Sequence, residues 1–214
     1  TFDAHDKRVQ NAIPNGSFEN IMPTYQMIKS LVNSVEDLHV DKDHLMVISP
    51  DEGALHRCIY FATQLGVNLG MFYKRRDYTR VVNGRNPIVE HQYLGDSVDD
   101  MISSGESMLE VCSKLKGLKA GRIFVCTTFG LFCNGLEVFD EAYKNGTFYR
   151  VFTTNGVYQT PELLSRDWYE SVDLSKYTAY FLDTLNHDMS VSSLLDCSDK
   201  IEKILIKKGL KEEK

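Results

Sequence analysis

Val98-Asp99-Asp100-Met101-Ile102-Ser103-Ser104-Gly105-Glu106-Ser107 is the stretch on which the reading of this chain turns. Two adjacent carboxylates lead into a small, hydroxyl-rich turn. Behind the turn, Met108, Val111, Cys112 and Leu115 recur at helical spacing. Paired carboxylates accept hydrogen bonds from neighbouring hydroxyls, such as a ribose 2,3-diol. A turn that opens a helix points backbone N–H groups and the positive end of the helix dipole at one spot, which suits a phosphate. Sugar acceptors and phosphate donors a few residues apart describe a ribose 5-phosphate site. An Asp-rich turn with Ser107 as helix N-cap is the bland alternative.

Working outward, short apolar runs alternate with helical patterns. Leu45-Met46-Val47-Ile48 predicts a buried strand ended by Ser49-Pro50. Leu55, Cys58, Ile59, Ala62 and Leu65 predict a helix closed by Gly66. Strands are expected at residues 67–73, 123–126 and 149–153. Helices are expected around Leu136, Phe139 and Tyr143, stopped by Gly146, and again over residues 176–185. This alternation predicts the α/β class, a parallel sheet with helices on both faces. Ligands of such sheets bind at the carboxyl ends of strands. Residues 77–95, with Asn83-Gly84, Asn86-Pro87 and few apolar positions, are expected to form a mobile loop. The charged segment 197–214 reads as a surface helix and tail with Ile201, Ile204 and Leu205 on one face. The expected division is a domain over residues 1–196 and that appendage.

Composition narrows the class. The 214 residues include eleven Phe and eleven Tyr, enough bulk to exclude a disordered chain. A formal charge of -6 argues against a nucleic-acid binder. The five cysteines are widely spaced and without a C-x-x-C pair, which argues against a zinc site or a disulfide scaffold. Cys58, Cys112 and Cys126 lie in apolar surroundings and read as core. The pattern fits a reducing, cytoplasmic setting. No apolar run reaches the length of a membrane span, so no membrane partner is expected. No signal peptide is visible in a chain that begins at Thr1.

Asp99-Asp100-x-x-x-Ser104-Gly105-x-Ser107 resembles the motif that phosphoribosyltransferases and phosphoribosyl pyrophosphate (PRPP) synthetases use to hold PRPP. Four other segments, in family order, make the chain resemble the synthetases, the ribose-phosphate pyrophosphokinases. Thr1-Phe2-Asp3-Ala4-His5 is similar to a strand ending in a metal-binding His. Val47-Ile48-Ser49-Pro50-Asp51-Glu52-Gly53 is similar to a Ser-Pro-Asp-x-Gly loop. Lys74-Arg75-Arg76, expected directly after a strand, resembles a Lys-x-Arg at the base of a flexible catalytic loop, and Val151-Phe152-Thr153-Thr154-Asn155 resembles a late Val-x-Thr-Asn strand.

The resemblance implies a type I phosphoribosyltransferase-like fold and a kinase that makes PRPP and AMP from ATP and ribose 5-phosphate for nucleotide biosynthesis. It implies that His5 and Asp51 hold Mg²⁺, and that Lys74 and Arg76 are catalytic. Asp51, Asp99 and Asp100, with Ser103, Ser104, Gly105, Glu106 and Ser107, would bind ribose 5-phosphate. A homo-oligomer, a dimer or hexamer, is the implied assembly. By the residues alone, His5 is a surface residue and Lys74-Arg75-Arg76 a solvated basic turn.

Three departures from the family pattern stand out. A preceding half, which supplies ATP contacts, is expected but not seen. The lead-in Tyr93-Leu94-Gly95-Asp96-Ser97-Val98 is too polar and short for the expected buried strand, by roughly five to ten residues. Ser103 stands where the family has an acid, and Glu106 where it has a small residue. The alternatives are a catalytically impaired regulatory subunit and a phosphoribosyltransferase that consumes PRPP.

Overall fold

The structure, a computed structural model, describes residues 1–13, 18–76, 88–93 and 101–212; for Lys7, 73–76 and 88–93 it describes the backbone only. After a 3-10 turn at Lys7–Ala12 come α1 (Thr24–Ser34), β1 (Met46–Ser49), α2 (Leu55–Leu65), β2 (Asn68–Arg76), β3 (Ile88–Tyr93), β4 (Met101–Ile102) and α3 (Glu106–Gly117). Then follow β5 (Phe124–Thr127), β6 (Phe129–Gly130), α4 (Glu137–Lys144), β7 (Arg150–Thr154), α5 (Pro161–Leu164) and β8 (Tyr169–Val172). Helices α6 (Ser175–Asn186), α7 (Ser192–Leu195) and α8 (Ser198–Lys207) complete the described chain. These elements form two compact units, one of Thr1–Leu38 and Asp100–Lys214, the other of His39–Asp99. The α/β class with parallel strands is as the sequence implies.

The smaller unit is a three-stranded sheet in the order β1-β2-β3. β1 and β2 are parallel, with Met46 opposite Asn68 and Ser49 opposite Met71. The connecting helix α2 turns Cys58, Phe61, Ala62 and Leu65 inward, while Ile59 faces solvent. Gly66 closes it at φ 73°, its N–H donating to the Ala62 carbonyl at 2.8 Å. This left-handed turn is where a residue with a Cβ is strained.

Two expectations are corrected in this unit. Ile88–Tyr93, expected within a mobile loop, is a strand antiparallel to β2, with Phe72 opposite Tyr93 and Arg76 opposite Ile88. The same pairing carries β2 through Lys74 and Arg76, so these residues lie within a strand, not after one. The physical reason is that a ladder is held by backbone hydrogen bonds and needs no apolar stripe. Residues 77–87 and 94–100 lie outside the described residues. The latter include most of the lead-in that departs from the family pattern.

The larger unit is built on the parallel sheet β5-β7-β8. Phe124 pairs with Arg150, and Val151 pairs with Tyr169. Val151, Phe152, Thr153 and Thr154 of β7 are each 0% exposed. Successive strand residues face opposite sides, so both faces of β7 are covered. α1 packs against β7 and β8, contributing Met27, Ile28, Leu31 and Val32 to the core. An aromatic cluster forms around Trp168, stacked on Phe139 with ring centroids 5.6 Å apart. Burying one such side chain stabilises the fold by about 1.5–3 kcal/mol.

The β7 threonines are buried because each finds a partner. Thr153 Oγ1 lies 2.6 Å from the Tyr169 hydroxyl, and Thr154 Oγ1 donates to the Thr128 carbonyl at 2.6 Å. α8 lays its fully buried Ile201 and Leu205 inward and packs on α1. The short strands β4 and β6 form a separate parallel pair, Met101 opposite Phe129 and Ile102 opposite Gly130. Cys58, Cys112 and Cys126 are buried, as expected of core residues. Among the described residues, no helix is long and apolar enough to cross a membrane.

Candidate functional site

The loop between β4 and α3 is fixed at its base by the chain at Leu131–Cys133. The Leu131 N–H donates to the Ile102 carbonyl at 2.8 Å, and the Cys133 N–H to the Ser103 carbonyl at 2.9 Å. Ile102 is 1% exposed. The loop then rises through Ser103, exposed, and Ser104, half-buried, to Gly105, which is buried. Gly105 is the N-cap of α3, at φ 86° and ψ −11°. The bland alternative had Ser107 in that role, but Ser107 lies inside the first turn.

Gly105, as the cap, brings no side chain to this helix end, and Glu106 and Ser107 of the first turn are exposed. Met108, Val111, Cys112 and Leu115 seat the helix in the core, so its dipole is held in a fixed direction. An exposed helix N-terminus after a tight glycine turn is a cradle for an anion. Glu106 opposes this with one negative charge, but its side chain is in solvent, where charge is well screened.

Other polar residues stand where parallel strands end. Thr128, just past β5, donates from Oγ1 to Asp3 Oδ2 at 2.5 Å, and both residues are buried. Asn155, just past β7, donates to Asp173 Oδ1 at 2.9 Å and accepts from the Leu174 N–H at 2.8 Å. Asp173, just past β8, is held below the ordinary carboxylate range first by its hydrogen bonds from Ser175, then by Asn155.

His5 is exposed, two residues beyond Asp3. The strand expected over Thr1–His5 is corrected to a single parallel bridge, Phe2 with Ile21. Asp3 turns the chain at φ 39°, and the Ala4 N–H goes to the Asn20 side chain instead of a ladder. Asp6 beyond it caps the 3-10 turn, and the Arg8 guanidinium bonded to its carboxyl holds it at about 2.

In the smaller unit, Asp51 follows β1. Its Oδ1 accepts from the Ala54 N–H at 3.1 Å, and its carbonyl accepts from the buried Ser49 hydroxyl at 2.7 Å. Lys74 and Arg76 lie in β2, opposite His91 and Ile88. Asp99 and Asp100 lie outside the described residues. Of the expected set, Ser103, Ser104 and Gly105 form one loop and Glu106 and Ser107 the first turn of α3 behind it; His5 belongs to the same unit, and Asp51, Lys74 and Arg76 to the other. Among the described residues, no three His, Cys, Asp or Glu side chains converge as a metal cage.

No protein-family model matches the chain. In sequence it resembles ribose-phosphate pyrophosphokinases. It is 32% identical over 143 residues to that of Pyrococcus abyssi, spanning 63% of this chain and 45% of the relative. It is 34% identical over 129 residues to that of Thermoplasma acidophilum, spanning 56% and 44%. The chain thus spans less than half the length of these curated relatives. Its fold matches the crystal structure of phosphoribosylpyrophosphate synthetase from Mycobacterium smegmatis with a TM-score of 0.66, over 87% of this chain and 58% of that one, at 18% identity. The α/β fold is thereby phosphoribosyltransferase-like.

Proposed function

We propose that this chain carries the ribose 5-phosphate side of a ribose-phosphate diphosphokinase, which moves the β,γ-diphosphoryl group of ATP onto the 1-hydroxyl of ribose 5-phosphate, giving PRPP and AMP. The observation that carries the reading is the loop from Ile102 into α3, with Gly105 at φ 86° as the cap of a helix whose first turn is exposed. The similarity to ribose-phosphate pyrophosphokinases supports it.

In this reading the backbone N–H groups of Ser104 to Ser107 hold the 5-phosphate, and Asp99 and Asp100 accept from the ribose hydroxyls. That fixes the sugar while its 1-hydroxyl attacks the β-phosphorus and AMP leaves. Such transfer is catalysed chiefly by positioning and charge neutralisation. Lys74 and Arg76 supply the cations that stabilise the charge developing on the transferring group.

By the family resemblance His5 and Asp51 would hold Mg²⁺, Asp51 as a hard oxygen donor. Mg²⁺ takes one or two protein carboxylates and completes its shell with substrate phosphates and water, and Asp51 would be such a carboxylate. When bound, the ion neutralises the triphosphate. A homo-oligomer belongs to the proposal, with light scattering as its check.

The whole parent protein given ATP, ribose 5-phosphate and Mg²⁺ should release AMP, and Lys74→Ala should lower the rate about a hundredfold or more. Full activity in that variant removes the catalytic role. A regulatory subunit is the second reading, favoured by Glu106 and Ser103 in the phosphate loop. Its signature is ribose 5-phosphate binding without AMP release. Nucleobase-dependent pyrophosphate release from PRPP, without ATP, would instead identify a phosphoribosyltransferase.

A further inference from the structure

The larger unit contains a cleft of about 510 Å³ between α1, β8, α6 and α8 that has no part in the chemistry above. Three lysines from three different helices reach it: Lys29 on α1, Lys176 on α6 and Lys200 on α8. Among the described residues none of them lies within ion-pair distance of a carboxylate, although Lys29 is near enough to Asp173 to help lower its carboxyl. The two carboxylates on the cleft wall are already engaged. Glu170 faces the Arg150 guanidinium at 3.9 Å, and Asp173 Oδ1 accepts from Ser175 and Asn155. The lysines therefore concentrate positive charge on a concave surface of a chain whose net charge is -6.

The rest of the wall is aromatic. Tyr25, half-buried, and Tyr180, 50% exposed, flank the lysines, and Lys176 Nζ lies 5.6 Å from the Tyr180 ring centroid. Gln26, only 9% exposed, also lines the cleft, and its Oε1 has no hydrogen-bond partner among the described residues. A buried amide oxygen left without a donor is costly, and turning the terminal amide offers it to a group in the cleft. The volume lies in the range of small-molecule sites and far exceeds a phosphate group alone.

We propose that this cleft binds a small phosphate ester with a flat aromatic body. The phosphate meets Lys29, Lys176 and Lys200 through charge-assisted hydrogen bonds, the ring lies against Tyr180 and Tyr25, and a donor on the ligand satisfies Gln26.

The test is isothermal titration of the 214-residue chain with phenyl phosphate and, separately, with inorganic phosphate. Phenyl phosphate should bind saturably, and inorganic phosphate at least tenfold more weakly. Lys29→Gln with Lys200→Gln should weaken phenyl phosphate tenfold or more, because each lysine removed costs one charge-assisted contact. Both side chains are exposed, so thermal unfolding should not change; Lys176→Gln is the second variant. Tyr180→Ala should weaken phenyl phosphate while leaving inorganic phosphate as it was. Equal affinity for the two probes, binding that survives the lysine changes, or no saturable binding would each overturn the proposal.

Discussion

Replacing Gly105 with Ala tests the loop at its tightest point. A Cβ there would sit 2.7 Å from Phe139 Cε2 and closer still to Cζ. Phe139 is 0% exposed and stacked on Trp168 at an interplanar angle of 17°, so its ring has no space to retreat into. The backbone at φ 86° adds its own penalty. A left-handed residue with a Cβ costs about 1–2 kcal/mol and overpacking about 1–3, together about 2–5 kcal/mol. For a unit of this size that lowers Tm by roughly 5–20 °C. Trp168 is the only tryptophan, so its emission should shift with the displaced Phe139 ring. Gly117→Ala is the control, since a Cβ there meets nothing within 4 Å, and Ala favours a helix over Gly. Thermal unfolding followed by fluorescence decides. A Gly105→Ala chain with Tm and emission like those of Gly117→Ala would refute the reasoning.

Three further outcomes are expected. Burial pushes the Cys112 thiol up from 9.0 to about 12. The unfolded thiol ionises first, so its contribution is intact below pH 9.0 and is lost as pH rises toward 12; urea denaturation across that window should show a shallower loss in Cys112→Ala. In a thiol-reagent assay on the native chain, the exposed Cys133 should react well before the buried cysteines. Asp140→Ala strips the acceptor from the Trp168 indole N–H, held at 2.7 Å, and from Arg166 Nε at 3.0 Å. That should cost about 1–3 kcal/mol by urea denaturation, with Asp140→Asn losing less because it keeps an acceptor.

What the sequence made legible is what burial imposes on spacing. Met108, Val111, Cys112 and Leu115 announce α3 because one face of that helix meets the core. β7 shows as a continuous run because both its faces are covered. β8 was not read, because Tyr169-Glu170-Ser171-Val172 ends the sheet and is fully buried only at its two ends. β3 carries no apolar stripe to announce it, because its pairing with β2 is backbone to backbone. The phosphate loop's residues were legible, but its geometry was not. Nothing local says that Gly105 precedes the helix in a left-handed conformation, a demand set by Phe139, thirty-four residues away. His5 drew attention through the family resemblance, whereas the buried Asp3 with its Thr128 bond depends on a contact 125 residues distant.

The central claim is that the chain from Ile102 into α3 cradles the phosphate of ribose 5-phosphate. Amide shifts in a ¹⁵N-labelled chain, titrated with ribose 5-phosphate and in parallel with ribose, test it most directly. The account predicts saturable shifts largest at the Ser104 to Ser107 amides with the phosphate ester, absent with ribose, and lost in Gly105→Ala. Shifts elsewhere with these four amides unmoved would contradict it.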